Sequence, residues 1–246
     1  MNKYNLADGM IIINRMNVKN NIPRDILYQL EPNGEHSYIG IIDDAFHVKY
    51  VEFLYDWLEK MDDFKSGRTS FGQIPRLQKW YQRNKHYFSK TWKDQDMERW
   101  MSHEGDATLD DLERCVQRMI CHFGLQEKQN VQIPSINSCL INKYRYGGDS
   151  IRPHRDNQTT FGQNPTVIGI SLGIEREIIF KRIEYNPVKM NSIKLDKERM
   201  EEIRISLKPG SLFIMGGSVQ KYYSHEIPKV EMNGVRYSLT LREFIE

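Results

Sequence analysis

The sequence has few cysteines and no long hydrophobic run. Only three of its 246 residues are cysteines (Cys115, Cys121 and Cys139), and no two have C-x-x-C spacing. This sparse, odd set argues against a disulfide framework or a zinc knuckle and favours a reducing compartment. The apolar stretch at residues 10–13 is far too short for a signal peptide or a membrane span. We therefore expect an intracellular protein that has no membrane partner.

A strong net charge is also absent. The chain has 35 Lys and Arg against 33 Asp and Glu, which gives a formal net charge of +2 at pH 7. Any contact with nucleic acid must therefore come from local charge rather than from a global basic field. The hydrophobic content of 39% and the charged content of 28% are typical of a folded globular protein.

Hydrophobic periodicity predicts helices in the first half of the chain and strands in the second. Apolar residues recur at helical spacing over about 47–61 and over 108–124. After Pro134 the period changes to two, and turn residues then separate further short apolar segments. These segments are 167–172, 178–180, 203–207, 212–215 and 236–244. The pattern predicts an antiparallel sandwich or barrel.

The remaining segments give weaker signals. Residues 1–40 are expected to form an irregular N-terminal arm with a short strand at 11–13, and residues 41–246 a single domain. Within that domain, 41–46 is typical of a strand that leads into the first helix. Residues 183–202 are polar and charged, and we expect a hairpin or a short helix there.

Residues 64–93 combine positive charge with aromatic side chains. Eight lysines and arginines occur with no acidic residue, and seven aromatic residues lie among them. Basic side chains neutralise phosphates, and aromatic rings stack on unpaired bases with roughly 1–3 kcal/mol each. The segment could therefore be a lid that recognises nucleotides. The alternative is a solvated loop whose aromatic residues cap the core.

The stretch around His154 and Asp156 suggests a metal site. In an extended segment, residues two apart point to the same side, so both side chains can face one small volume. With His225 from a distant strand they would supply the two imidazoles and one carboxylate of non-haem Fe(II) oxygenases. Taken alone, a His-x-Asp pair is more often a pair of surface polar residues.

The last predicted strand places polar residues on one side and apolar residues on the other. Arg236, Ser238, Thr240 and Arg242 share one face. Two guanidinium groups that converge inside a barrel need anions, which a dicarboxylate and Asp156 could supply. An exposed, basic edge strand is the alternative. On an earlier strand, Asn142 and Tyr144 also share a face, and both side chains can donate to carboxylate oxygens.

In this order, these motifs resemble the AlkB family of Fe(II)- and 2-oxoglutarate-dependent nucleic-acid demethylases. The resemblance covers about residues 70–246 and is closest over 137–242. It is carried by Asn-Lys-Tyr at 142–144, Asp-Ser-Ile-Arg-Pro-His-Arg-Asp at 149–156, Gly-Ser-Leu-Phe-Ile-Met at 210–215, Gln-Lys-Tyr-Tyr-Ser-His-Glu-Ile-Pro-Lys at 220–229, and Arg-x5-Arg at 236–242. Upstream, Pro-Arg-Leu-Gln-Lys-Trp-Tyr at 75–81 is similar to the family's nucleotide-recognition segment.

The resemblance implies an α+β, mainly β fold, with a double-stranded β-helix (jelly-roll) core flanked by N-terminal helices. It implies that His154, Asp156 and His225 bind Fe(II). It also implies that Arg236 binds the distal carboxylate of 2-oxoglutarate and that Arg242 holds the metal-side carboxylates. The other residues expected at the co-substrate are Asn142, Tyr144, Ser238 and Thr240. The expected substrate contacts are Phe71, Arg76, Trp80, Tyr81, Tyr87, Phe88, Asn157 and Gln158.

The activity that the resemblance implies is oxidative removal of N-methyl groups from bases such as 1-methyladenine and 3-methylcytosine. The partner would be single-stranded or flipped-out methylated DNA or RNA, and the protein is expected to be a monomer. Two features depart from the family pattern: Ser238 replaces a common asparagine, and the neutral pair Asn157 and Gln158 replaces the acidic residues typical of members that act on duplex DNA. Two alternatives remain, namely a protein or small-molecule hydroxylase on the same barrel and a catalytically dead nucleic-acid binding module.

Overall fold

Two antiparallel sheets form the centre of the part of the chain that the structure describes. The computed structural model describes residues 28–29, 35–69, 72–83, 101–122, 134–186, 191–194 and 202–245. Its strands are β1 (Tyr28–Gln29), β2 (Ser37–Ile42), β3 (Arg68–Thr69), β4 (Gly72–Gln73), β5 (Leu77–Gln82), β6 (Ser138–Tyr144), β7 (Ile151–His154), β8 (Val167–Gly173), β9 (Arg176–Asn186), β10 (Asn191–Lys194), β11 (Glu202–Leu207), β12 (Leu212–Gly217), β13 (Tyr223–Ile227) and β14 (Arg236–Arg242). Its helices are α1 (Val48–Glu59), α2 (Ala107–His122), α3 (Gln158–Phe161) and α4 (Val219–Tyr222).

The large sheet has seven strands in the order β1-β2-β12-β8-β14-β6-β5. The small sheet has the order β10-β9-β13-β7, and β11 also pairs with β9. The short strands β3 and β4 form a separate pair. Neighbouring strands are antiparallel throughout these sheets, as the period-two pattern predicts.

The two sheets face each other across an apolar layer. Ile39 and Phe213 of the large sheet pack in one buried cluster with Phe180, Leu207 and Tyr223 of the small sheet. This arrangement of facing antiparallel sheets, with helices on one outer side, confirms the predicted mainly β, jelly-roll fold.

Helices α1 and α2 cover the outer face of the large sheet, and both predicted helices are confirmed. In α1, Leu54 and Leu58 lie one turn apart and are fully buried, and the His47 side chain caps the N-terminus by accepting from the Lys49 N–H. In α2, Leu112 and Val116 have the same spacing and burial. Among the described residues, neither of these nor any other helix has the length and apolar character needed to span a membrane.

Three structural predictions from the sequence need correction or refinement. Strand β2 pairs with β12 from Ser37 onward, so the large sheet begins inside the predicted arm of residues 1–40. Within the described part of 183–202, residues 183–186 of β9 pair with β10, which confirms a hairpin there. Residues 77–82 of the predicted lid instead form β5, which pairs with β6 in the large sheet. The predicted strand at 11–13 lies outside the described residues.

Candidate metal and co-substrate site

The structure brings the three predicted metal ligands together. His154 ends β7, Asp156 follows two residues later, and His225 lies in β13 directly opposite His154. The imidazole ring centroids of His154 and His225 are 4.3 Å apart. The ligand atoms of all three residues lie within 4.8 Å of one another, which suits a single metal ion. Two imidazoles and one carboxylate, with no fourth protein ligand in the group, match an Fe(II) site with open positions.

The two histidines are held as neutral ligands. The Nδ1 atom of His154 lies 3.0 Å from the backbone oxygens of Arg152 and His225, which leaves its Nε2 available to a metal. Burial lowers the pKa of His154. Burial, together with the neighbouring His154, lowers the pKa of His225 to about 3. A metal can therefore bind either imidazole at neutral pH without first displacing a proton.

Asp156 is kept ionised by its neighbours. Although burial alone would raise its pKa, the Arg242 guanidinium, both histidines and Gln220 lower it to about 2. Arg242 Nη1 lies 2.8 Å from Asp156 Oδ1, the contact that the arginine pattern predicts. Gln220 Nε2 donates to Asp156 Oδ2 at 3.1 Å, and Gln220 Oε1 accepts from the Asp156 N–H at 2.6 Å. The metal-ligand carboxylate is thus oriented from two sides.

Gln220 is a site residue that the sequence did not reveal. It lies in α4, a helix of four residues between β12 and β13, and its side chain is buried. The only signal was its position five residues before His225, inside a stretch already matched to the family. Neither spacing nor residue type distinguishes such a glutamine from an ordinary polar residue.

A second group of residues, on the inner face of the large sheet, could bind an anion. Arg236 is only 2% exposed, its Nε donates to Ser171 Oγ at 3.0 Å, and its Cζ lies 5.0 Å from the centroid of the Tyr144 ring. Its Nη1 is buried and has no hydrogen-bond partner among the described residues. A buried guanidinium with an unused N–H is costly unless an anion binds there. A carboxylate group of a small molecule would satisfy it.

Asn142 is also held in place beside this anion site. Its Oδ1 accepts from Arg76 Nε at 2.7 Å and from Gln78 Nε2 at 3.1 Å. Because both bonds go to the amide oxygen, the amide nitrogen of Asn142 remains available to donate. The Asn142 side chain is therefore oriented as a donor, which is the role that the sequence predicts for it.

The metal triad, Arg242, Arg236 and Asn142 line one cavity of about 1140 Å³ between the two sheets. The period of two in β6 and β14 is the reason, because alternate residues of each strand point to the same side. The lining includes the metal triad and every predicted co-substrate residue, namely Asn142, Tyr144, Arg236, Ser238, Thr240 and Arg242. The intervening residues Ile141, Tyr237, Leu239 and Leu241 pack on the helices instead. The basic edge-strand alternative is thereby excluded, since β14 lies between β8 and β6.

Three of the predicted substrate contacts lie at or near this cavity. Arg76 lines it, and its guanidinium is bonded to Asn142 Oδ1 and, at 3.3 Å, to the Ser150 backbone oxygen. Asn157 also lines it and caps α3 by accepting from the Thr159 N–H at 2.9 Å. Gln158 is exposed at the start of α3 and is not part of the cavity lining.

Trp80 and Tyr81 are not substrate contacts, and the structure contradicts the prediction for these two. Trp80 is 3% exposed and packs against the rings of Phe161 and Phe244. Tyr81 is 8% exposed and packs in the core with the helices. Both belong to β5, whose pairing with β6 turns these aromatic side chains into core residues. The other three predicted aromatic contacts lie outside the described residues: Phe71, Tyr87 and Phe88.

The comparisons with known proteins agree with this geometry. A family model described as "2OG-Fe(II) oxygenase superfamily" matches residues 49–242. "DNA oxidative demethylase ALKBH2" of Arabidopsis thaliana is 29% identical over 118 residues, which cover 43% of this chain and 37% of the relative. "Alpha-ketoglutarate-dependent dioxygenase alkB homolog 3" of Bos taurus is 33% identical over 109 residues, which cover 44% of this chain and 36% of the relative.

A solved structure, "The structure of OsALKBH1", superposes with a TM-score of 0.55 at 14% sequence identity and covers 83% of this chain and 97% of that chain. At this identity the likeness shows a shared fold. The matched region spans little more than a third of the length of the two curated relatives. Fe(II) and 2-oxoglutarate, the expected cofactors, are those of the matched superfamily. Since the family model covers most of the chain, the protein belongs to the 2OG-Fe(II) oxygenase superfamily, and its similarity to these relatives confirms the resemblance to the AlkB family.

Proposed function

We propose that this protein is an oxidative demethylase of nucleic-acid bases. It would remove N-methyl groups from bases such as 1-methyladenine and 3-methylcytosine in DNA or RNA. Fe(II), 2-oxoglutarate and O2 would be needed, and formaldehyde, succinate and CO2 would be released. The observation that carries the proposal is the position of the metal triad and the unsatisfied Arg236 guanidinium in one cavity. The name of one curated relative, "DNA oxidative demethylase ALKBH2", favours a nucleic-acid substrate.

Residues of the large sheet would bind the co-substrate. Arg236 would bind its distal carboxylate, with donors from Asn142 and Tyr144 beside it. His154, Asp156 and His225 would hold Fe(II), which supplies the oxidising chemistry once the keto acid and O2 are present. The protein itself contributes position, through Arg242 and Gln220 on Asp156, and exclusion of water by the facing sheets.

The size of the cavity is consistent with two occupants. Pockets of about 300–1,000 Å³ are typical for a single drug-sized ligand, and this cavity has about 1140 Å³. It can therefore take the keto acid together with a methylated base. A base inside a duplex cannot reach a cavity between two sheets, so the target would be single-stranded or flipped out. That the protein acts as a monomer stays a prediction.

Turnover tests the proposal directly. Protein purified without oxygen and supplied with Fe(II) and 2-oxoglutarate is given single-stranded oligonucleotides that carry 1-methyladenine or 3-methylcytosine, and air is then admitted. We expect formaldehyde and the unmethylated base in equal amounts. The base is measured by mass spectrometry of the digested oligonucleotide, and the formaldehyde is measured separately in solution. His154→Ala should abolish both products. Lys208→Ala, which removes only an exposed ion pair with Asp43, should retain them.

The alternatives give different outcomes in the same experiment. Succinate formation with a peptide or small molecule, and no demethylation of any oligonucleotide, would identify a hydroxylase. Oligonucleotide binding without succinate formation under any condition would identify a catalytically dead binding module. Either result would overturn the demethylase proposal.

A further inference from the structure

Free positive charge does not lie where the composition of the sequence suggests. In the segment 64–93, the described cations Lys79 and Arg83 each form an ion pair with an acidic side chain. Arg76 is bonded inside the cavity. Among the cations of this segment whose side chains are described, Lys65 is the one that is both exposed and without an ion pair. Paired cations contribute little to binding a polyanion, because their charge is already compensated.

The cavity mouth on the small-sheet side carries unpaired cations instead. Arg152, Arg155 and Lys229 all line the cavity, and none of them has an ion pair within the described part of the chain. Because β13 pairs with β7 with Ile227 opposite Ile151, the segment that carries Lys229 runs beside the start of β7. Three cations without ion pairs among the described residues therefore line the cavity that contains the metal triad.

An exposed aromatic ring lies on the loop next to these cations. Tyr146 is 51% exposed and lies outside the cavity lining; its ring lies against Gly148 and 5.8 Å from the Arg145 guanidinium carbon. The neighbouring Gly147 is bonded to the loop that follows Lys229, because its N–H donates to the Met232 oxygen and its oxygen accepts from the Val230 N–H, both at 2.9 Å. We call Tyr146, Arg152, Arg155 and Lys229 the basic rim.

Arg176 holds together the backbone of the two loops that carry Tyr146 and Lys229. It is buried at the start of β9, and its Nη2 donates to the backbone oxygens of Asp149 and Pro228. One side chain thus joins the loop that carries Tyr146 to the loop that carries Lys229. A rim held in this way loses little conformational freedom when a ligand binds.

We propose that the basic rim binds the strand of a single-stranded nucleic acid next to the base that enters the cavity. Arg152, Arg155 and Lys229 would contact phosphates, and Tyr146 would stack on an adjacent unpaired base. Cations beside an exposed aromatic ring are the usual means of binding single strands without sequence preference. An acidic peptide would use the cations but not the ring. The inference rests on the proposed function, for which it names the strand-binding surface.

The test measures binding without turnover. A fluorescently labelled, unmethylated single-stranded oligonucleotide is titrated at several salt concentrations, and affinity is read from anisotropy. For each cation–phosphate pair that a substitution removes, the slope of log K against log salt should become shallower by about 0.7. The triple variant Arg152→Gln, Arg155→Gln, Lys229→Gln should therefore flatten the slope by about 2. Lys208→Gln, whose side chain is paired with Asp43, is the matched control and should keep the slope of the unmodified protein.

Substitutions of Tyr146 distinguish the binding of a nucleic-acid strand from the binding of other polyanions. Tyr146→Ala should weaken oligonucleotide binding roughly tenfold, whereas Tyr146→Phe, which keeps the ring, should restore it. If the triple variant does not fold, as judged by its circular dichroism, the three single variants should each show a change of about 0.7. An unchanged slope in the cation variants would overturn the proposal. So would an acidic peptide that binds as tightly as the oligonucleotide, if Tyr146→Ala changes neither affinity.

The two proposals can fail separately. The salt slopes of oligonucleotide binding could change as expected while the unmodified protein demethylates no oligonucleotide. That result would overturn the demethylase function and support the basic rim as a strand-binding surface. Demethylation of oligonucleotides with the same KM in the triple variant and the unmodified protein would overturn the rim and support the function.

Discussion

The two faces of β14 carry different kinds of side chain, although neighbouring residues alternate between them. On the inner face, Arg236 and Arg242 are 2% and 3% exposed, and their guanidinium groups lie over the rings of Tyr144 and Phe161. On the outer face, Tyr237 and Leu239 are fully buried against the helices. The two arginines are thus nearly as buried as the apolar residues of the outer face, although Ser238 and Thr240 between them are partly exposed in the cavity. Burial alone therefore does not distinguish the functional residues of this sheet from its structural ones.

The residues of the outer face stabilise the fold, whereas some polar groups of the inner face lower its stability. Apolar burial on the outer face stabilises the fold by roughly 25 cal/mol for each Å² removed from water. On the inner face, Nη1 of Arg236 and Nε of Arg242 are buried without partners among the described residues, which opposes folding. Such unsatisfied groups persist where a ligand completes them. We expect substitutions on the two faces to have opposite signatures.

Arg236→Met should have the largest effect on the inner face. It removes the guanidinium but keeps much of the side-chain length, so 2-oxoglutarate affinity should fall by about 2–5 kcal/mol. The free energy of unfolding without co-substrate should rise by about 1–3 kcal/mol, because the substitution removes a buried unpaired donor. Calorimetric titration and urea unfolding measure the two quantities. Unchanged co-substrate affinity would show that the dicarboxylate binds elsewhere.

Leu239→Ala should have the opposite signature, although it lies on the same strand. Leu239 is fully buried in the layer between the large sheet and the helices. Its truncation leaves a cavity and should lower the free energy of unfolding by about 3 kcal/mol. The dissociation constant for 2-oxoglutarate should stay close to that of the original protein. A variant that keeps its stability but binds the co-substrate more weakly would contradict the division between the two faces.

The alternation in β14 made this division predictable, because a period of two assigns both faces at once. His154 and Asp156 were predictable for the same reason. The pairing of β5 with β6 was not, since it joins residues such as Trp80 and Leu140 that are far apart in the chain. Without it, Trp80 and Tyr81 were predicted as substrate contacts from the resemblance of 75–81 to the family's nucleotide-recognition segment and from the basic, aromatic composition of 64–93. Strand β2 was predicted too late in the chain, at 41–46, because five of its six residues are buried and it has no alternation to detect.

Gln220 tests how far the inner-face site depends on residues outside the large sheet. Gln220→Met keeps the approximate shape but removes both hydrogen bonds to Asp156. The affinity for Fe(II), or for Mn(II) as a spectroscopic substitute, should fall by about 10–100-fold. Electron paramagnetic resonance of the Mn(II) complex should also report an altered ligand geometry. A purely structural role for Gln220 would lower the thermal stability and leave both metal readouts unchanged.

Ser238 should give the smallest effect, and it sharpens the comparison within the inner face itself. It lines the cavity between Arg236 and Thr240, and it lies opposite Asn142 on one side and Ser171 on the other. If its hydroxyl donates to the co-substrate, Ser238→Ala should weaken 2-oxoglutarate binding by about 1 kcal/mol. Ser238→Asn, which restores the residue common in the family, should then bind at least as tightly as the original. Equal affinity in all three proteins would mean that Arg236 and its neighbours hold the carboxylate without help from this position, so that the departure from the family pattern carries no cost.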